Sequence, residues 1–326
     1  MPLYKGTTEI AGGNLYKGTT EIENVYKNIN LIYQNQIPFN SHFLIVGGGG
    51  GGSTVYRWDG DDDETVAEWQ YGGGGGAGAL RTSYGSTNGG GQSVDSQLSL
   101  ATQNEYTIIV GSGGSAAQAG ATSSIGNLVQ AGGGYSASFS GTASIGTVTP
   151  ALANSSGAGG GAGISGLVTY PSSSYVSTSG TYGYNGNNGS PGNYPGGGGG
   201  AGGPGGSASG GMNGSGYGAG AALSNGITGS SVSYARGGAS NTNALATITQ
   251  PTQPGSGGSG GASENDYVWE PAGYYRPPTA GNNGCVILRF PNTRNYTATG
   301  SPTLTTDGSD KILQWTTAGT YTITFT

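Results

Sequence analysis

Few side chains in this sequence could do chemistry, and their spacing argues against most reactions. Among 326 residues there is one histidine, His42, and one cysteine, Cys285. A triad that uses histidine as base needs a nucleophile beside it, yet His42 opens an apolar run with no Cys or Ser elbow nearby. A lone thiol excludes an intramolecular disulfide and offers no thiolate cluster to a metal. The run Asp59-Gly60-Asp61-Asp62-Asp63-Glu64 could chelate Ca²⁺ through its carboxylates. It lacks the ligand spacing and distal Glu of a twelve-residue calcium loop, so a solvated acidic loop tip is the favoured reading. Paired carboxylates for glycoside hydrolysis would have to come from residues 59–68, Glu264, Asp266 and Glu270, and no motif positions them. The expectation is a protein that is not an enzyme and carries neither metal nor cofactor.

Binding is the chemistry that remains. Three stretches concentrate aromatic residues: Ser53 to Tyr71, with Tyr56, Trp58 and Trp69; Leu167 to Tyr194, with Tyr182 and Tyr184; and Ser263 to Thr279, with Trp269, Tyr274, Tyr275 and Arg276. Trp, Tyr and Arg dominate binding hot spots, and on loops they present rigid area at low entropic cost. The competing reading is inward packing, because glycine-rich text offers few other side chains for a core. Exposure is favoured for Trp58, beside the acidic run, and for Tyr274-Tyr275-Arg276, just before Pro277-Pro278.

The elements that must carry these loops are unusual. The chain holds 72 glycines and 14 prolines, but only 8% of its residues are charged. Disordered chains tend to carry high net charge, so the glycine-rich body reads as ordered. It opens at His42-Phe43-Leu44-Ile45-Val46, which runs into Gly47–Gly52, and closes at Cys285-Val286-Ile287-Leu288-Arg289-Phe290. Between them lie Gly72–Gly76, Gly89–Gly91, Gly132–Gly134, Gly159–Gly161 and Gly196–Gly200. Polyproline II helices make no internal hydrogen bonds, and a buried backbone must satisfy its polar groups. Such helices can bond to one another only where no Cβ separates them. A helix surrounded on all sides then needs glycine throughout, and a six-residue run would span about 19 Å, close to a strand's length. No strict Gly-x-y register points to collagen. Gly47-Gly48-Gly49 mimics a phosphate loop, but neither a helix nor a Lys-Ser/Thr follows.

Flanking segments differ from this body. Leu3-Tyr4-Lys5-Gly6-Thr7-Thr8-Glu9-Ile10 recurs as Leu15-Tyr16-Lys17-Gly18-Thr19-Thr20-Glu21-Ile22, with a decayed third copy from Val25-Tyr26-Lys27. Each copy reads as two short β segments around a turn that cannot bury its apolar residues alone. Leu3, Tyr4, Ile10, Leu15, Tyr16, Ile22 and Tyr26 are therefore candidate docking residues. Residues 35–41 read as a connector, Glu105–Val110 and Val286–Phe290 as strands, and Ile125–Gln130 as a further one. Thr303–Thr305, Lys311–Trp315 and Thr320–Phe325 alternate polar and apolar residues, as a β-hairpin or three-strand meander does. The expected fold is all-β: an N-terminal β-repeat segment (1–41), a glycine-rich domain (42–291) built as a β-sandwich with an inserted polyglycine II helix bundle, and a C-terminal β-meander (292–326). A net charge of −6 shows no basic face for nucleic acid. No run of about 20 apolar residues suits a membrane span, and the first residues lack a signal-peptide core.

The succession Phe-Leu-Ile-Val-Gly-Gly-Gly-Gly-Gly-Gly, Tyr-Thr-Ile-Ile-Val-Gly-Ser-Gly-Gly, Ser-Ser-Ile-Gly and Gly-Cys-Val-Ile-Leu-Arg-Phe-Pro resembles the glycine-rich domain of phage tail and fibre proteins, over about residues 42–291. The resemblance implies a β-sandwich holding a polyglycine II bundle, similar to that of the distal tail-fibre adhesins of T-even-like phages, whose loops form the host-contacting tip. It implies a virion protein, made in the host cytoplasm without a signal peptide and located on the tail or capsid surface. The N-terminal repeats would dock to other virion proteins. The loops would meet a host surface glycan or outer-membrane protein, and the chain would form a homo-oligomer, with a trimer expected from phage fibres generally. A capsid decoration or head-fibre protein is the alternative; an ice-binding protein and a surface-glycan depolymerase rank behind it.

Overall fold

The computed structural model describes residues 36–54, 69–137, 164–165, 181–186, 195–206, 218–240, 250–264 and 274–326, together with six short strands before residue 35. In those six strands, and at residues 69–71, 164–165, 263–264 and 274, it describes the backbone alone. The six strands form three hairpins. β1 (Leu3–Lys5) and β2 (Thr8–Ile10) set Leu3 opposite Ile10 and Tyr4 opposite Glu9. β3 (Leu15–Lys17) and β4 (Thr20–Ile22) repeat that register, with Leu15 opposite Ile22 and Tyr16 opposite Glu21. β5 (Asn24–Lys27) and β6 (Asn30–Gln34) form the third, with Tyr26 opposite Leu31. An isolated hairpin is marginally stable at best in water.

The remaining strands are β7 (Pro38–Val46), β8 (Trp69–Tyr71), β9 (Leu80–Thr82), β10 (Leu98–Ala101), β11 (Glu105–Val110), β12 (Ser123–Ile125), β13 (Val129–Ala131), β14 (Ile164–Ser165), β15 (Leu223–Asn225) and β16 (Val232–Tyr234). After them come β17 (Ala262–Glu264), β18 (Tyr274–Arg276), β19 (Cys285–Pro291), β20 (Tyr296–Ala298), β21 (Thr303–Asp307), β22 (Asp310–Trp315) and β23 (Gly319–Phe325). No α-helix occurs among the described residues. One sheet has the order β10-β7-β19-β22-β21, with β9 also on β7; a second has the order β13-β12-β11-β23-β20. They pack as a β-sandwich. Phe43, Ile45, Leu288 and Leu313 of the first meet Ile108, Val110, Ile125 and Ile323 of the second in one core. In β11 the period of two sends Ile108 and Val110 inward and leaves Thr107 and Ile109 exposed.

Four details depart from the sequence reading. Pro38–Ser41, read as connector, begins β7 and pairs with β10; proline is tolerated at the first residue of a strand. Ile125–Gln130 is not one strand but the hairpin β12–β13, because Gly126 takes a φ of +48° and breaks the run. The last strands do not stay in one sheet. β21 and β22 pair as a hairpin, whereas β23 crosses over to pair with β11 and β20. Gly89–Gly91 forms a tight 3₁₀ turn, with Gly90 and Gly91 at φ +68° and +73°, and not a straight glycine segment.

The glycine-rich body continues the sandwich strands. Gly47–Gly52 follows β7 directly, and its amides point in turn to three different neighbours. Gly47 and Gly50 donate to Ala79 and Gly76, Gly48 and Gly51 to Ala121 and Gln118, and Gly49 and Gly52 to Asn282 and Thr279. Carbonyls repeat the cycle. Gly48 and Gly51 accept from Gly134 and Ala137, Gly49 and Gly52 from Gly114 and Ala117, and Gly50 and Ser53 from Gly258 and Gly261. The backbone thus repeats every three residues and bonds to six flanking segments, which satisfies its polar groups without a sheet. At each of Gly47–Gly52 an added Cβ would lie less than 3.0 Å from a neighbouring backbone carbonyl. That close approach is why this run is pure glycine.

Cys285, the first residue of β19, is fully buried where the glycine body meets the sandwich. Burial pushes its thiol pKa well up; Tyr234 is pushed up too, by burial first and then by neighbouring Cys285. Both groups stay neutral in the folded chain while the unfolded chain ionises. Stability should therefore hold below about pH 8.5 and decline as pH rises past it. At neutral pH, labelling of Cys285 by a thiol reagent should proceed only at the rate of unfolding, as followed by mass spectrometry against a denaturant series. Fast labelling of the native protein would contradict this burial.

Candidate functional site

Chain direction gives the molecule two unlike ends. β7 enters the sandwich at Pro38, after the hairpin repeats, and leaves at Val46 into the glycine body. β23 ends on the Pro38 side: Phe325 lies 4.9 Å from Phe39, ring centroid to centroid. At the opposite end of the glycine segments stands a separate four-stranded sheet, in the order β14-β8-β17-β18. β8 leads into Gly72–Ala79 and so back to β9; β17 follows Gly255–Gly261; β18 leads through Pro277-Pro278 to the segment before β19.

Register in this sheet brings together residues about two hundred positions apart. Glu264 is paired with Trp69 on one side and Tyr274 on the other, forming the row farthest from the glycine body. The next row is Ser165, Gln70, Ser263 and Tyr275; the last is Ile164, Tyr71, Ala262 and Arg276. Tyr275 is 42% exposed, Arg276 is half-buried, and Ala262 is fully buried. The two insertions that leave this outer row, 55–68 and 265–273, carry Tyr56, Trp58, Trp269 and the acidic run 59–64, all of which lie outside the described residues.

Tyr182 and Tyr184 are placed elsewhere. The Arg81 guanidinium lies 4.8 Å from the centroid of the Tyr182 ring, which packs against the sandwich core. Tyr182 accepts from the Leu80 amide through its carbonyl, and the Tyr184 hydroxyl lies beside Gly91. Tyr182 is thus a packing residue, half-buried on the sandwich side, and not a companion of Trp69 and Tyr274. The cause is the turn at Gly89–Gly91, where the missing Cβ atoms of Gly89 and Gly90 let the 181–183 backbone approach.

His42 is a structural residue. Its Nδ1 donates to the Ser83 carbonyl at 2.9 Å, its Nε2 accepts from Gln97 Nε2 at 2.6 Å, and its ring sits edge-on to Tyr84 at 5.2 Å. Arg289 binds Asp307 and Asp310, each at 2.8 Å. Burial opposes its charge, but the hydrogen bonds it donates to those two carboxylates outweigh burial and hold its pKa up. No group of three His, Cys, Asp or Glu among the described residues could hold a metal ion. The sequence reading did not anticipate that Glu264, Gln70 and Ser263 stand in register with the candidate aromatics. Nothing local in the sequence marks a register between strands so far apart. No protein-family model matches this chain, nor does any curated protein or solved structure.

Proposed function

We propose that this chain is a structural protein of a tailed-phage virion, a tail fibre or receptor-binding adhesin that meets the host surface through loops on a rigid glycine-rich scaffold. The observation that carries this reading is the polarity of the fold. Repeats that need a partner lie before the sandwich at one end, and aromatic-rich insertions leave the β8–β17–β18 sheet at the other. The three-residue hydrogen-bond cycle of Gly47–Gly52 supports a polyglycine II bundle as the scaffold between them. Such a bundle holds few side chains that could react, and its dense backbone bonding resists bending. Host contact is then non-covalent, and several copies per virion offset weak single contacts.

Adsorption measures this directly. Virions carrying Trp58→Ala together with Tyr275→Ala should adsorb to host cells about tenfold more slowly, in line with the loss of one or two hot-spot aromatics. Virions carrying Leu128→Ala, a change on an exposed sandwich turn, should adsorb normally. Gold label on the C-terminus should appear on the tail. Label at capsid vertices would instead support a head-fibre or decoration protein, and normal adsorption by the double variant would sink the adhesin reading.

A further inference from the structure

Among the described residues β21 is the longest open edge strand of the sandwich, with five residues against four in β10 and three each in β9, β13 and β20. Thr303, Leu304, Thr305 and Thr306 are all exposed. Natural sheets guard such edges with lysine, proline or a bulge, and β21 contains none of these over its unbroken register with β22. A core row crosses the sheet as Phe43, Leu288, Leu313 and Leu304. Its first three members are no more than 1% exposed, whereas Leu304 is 49% exposed. The row ends in an open leucine, as though one more strand were missing.

We propose that β21 pairs antiparallel with β21 of a second copy of this chain, about a two-fold axis at Thr305. The strand is complementary to itself in that register. Leu304 then faces Thr306 of the second copy, and Thr303 faces its Asp307, so the strand's one charge never meets its own image. Asp307 is in any case held by Arg289 of its own chain at 2.8 Å. The two Leu304 side chains become diagonal neighbours, about 7 Å apart, within reach of one another. Two-fold symmetry makes every contact twice, and the two six-stranded sheets join into one. This inference goes beyond the host-contact reading and does not depend on it.

Cysteine cross-linking of the full chain tests the register. Opposed residues of an antiparallel pair have Cα atoms about 4.5–5.5 Å apart, inside the range a disulfide spans. Thr305→Cys should therefore yield a covalent dimer under mild oxidation. Thr303→Cys should not, because its two copies would stand about 14 Å apart. Native Cys285 is buried and does not compete. In light scattering after size exclusion the unmodified chain should contain two-fold pairs, and Thr306→Pro, which removes an N–H that faces away from β22, should weaken them at least about tenfold. A monomeric chain would overturn the proposal, as would equal cross-linking at both positions, or a trimer indifferent to Thr306→Pro.

Discussion

Gly50→Ala should destabilise the protein by about 3 kcal/mol or more, the upper end of what overpacking a close-packed interior costs. Gly50 is buried in the middle of the central glycine segment, where its amide donates to Gly76 and its carbonyl accepts from Gly258, both at 2.8 Å. An added Cβ would come within 3.0 Å of the Tyr135 carbonyl group and of the Gly134 oxygen. All of these are backbone atoms, so no rotamer change relieves the clash. The 132–137 segment would have to move, and Gly76, Gly120 and Gly134 are bonded through it to further segments. Gly226→Ala is the control. Its Cβ would touch only the Tyr84 ring, at 4.0 Å, and it should change stability by no more than about 0.5 kcal/mol. Denaturant unfolding of the two variants separates a lattice in which glycine is required from a chain that is merely glycine-rich. Equal stability of both variants would remove the argument for a close-packed bundle.

The second large effect is expected at the far end of the sandwich. Phe325→Ala should cost about 3–5 kcal/mol, the usual range for deleting a buried aromatic ring. Phe325 is fully buried, and its ring lies 4.9 Å from Phe39, 5.0 Å from Phe290 and 6.3 Å from Tyr106. Phe39 and Phe290 belong to one sheet and Tyr106 to the other, so this single ring joins both sheets near the start of β7. Leu128→Ala, at a leucine left 48% exposed, should cost less than about 1 kcal/mol. If Phe325→Ala were as mild as Leu128→Ala, β23 would be a dispensable appendage, as a free-standing C-terminal meander would be.

That comparison marks the limit of what local pattern reveals. Glu105–Val110 was legible because β-branched and aromatic residues follow one another and then stop at Gly111, and the strand spans those residues. The repeats of residues 3–22 were legible as paired segments because identical text gives identical register. Alternation also marked Thr320–Phe325 as a strand, but alternation says only that one face is buried. Whether that face meets β22 or crosses to β11 depends on a partner some two hundred residues away.

The candidate site divides along the same line. Its aromatic composition is written in the sequence, because residue type alone makes Trp69, Tyr274 and Tyr275 candidates for contact. Tyr182 carried the same signal and proved to be packed beneath Arg81. Pairing of Glu264 with both Trp69 and Tyr274 is a matter of register between three distant strands. For the glycine body the sequence determined more than it usually does. Six successive glycines already state that no Cβ can be accommodated there, and a backbone without side chains must take its partners from other backbone. Which six segments surround that run, and in what direction each passes, was decided by the tertiary structure alone. Glycine carries no side chain that could distinguish one neighbour from another, so the choice falls to the strands at either end.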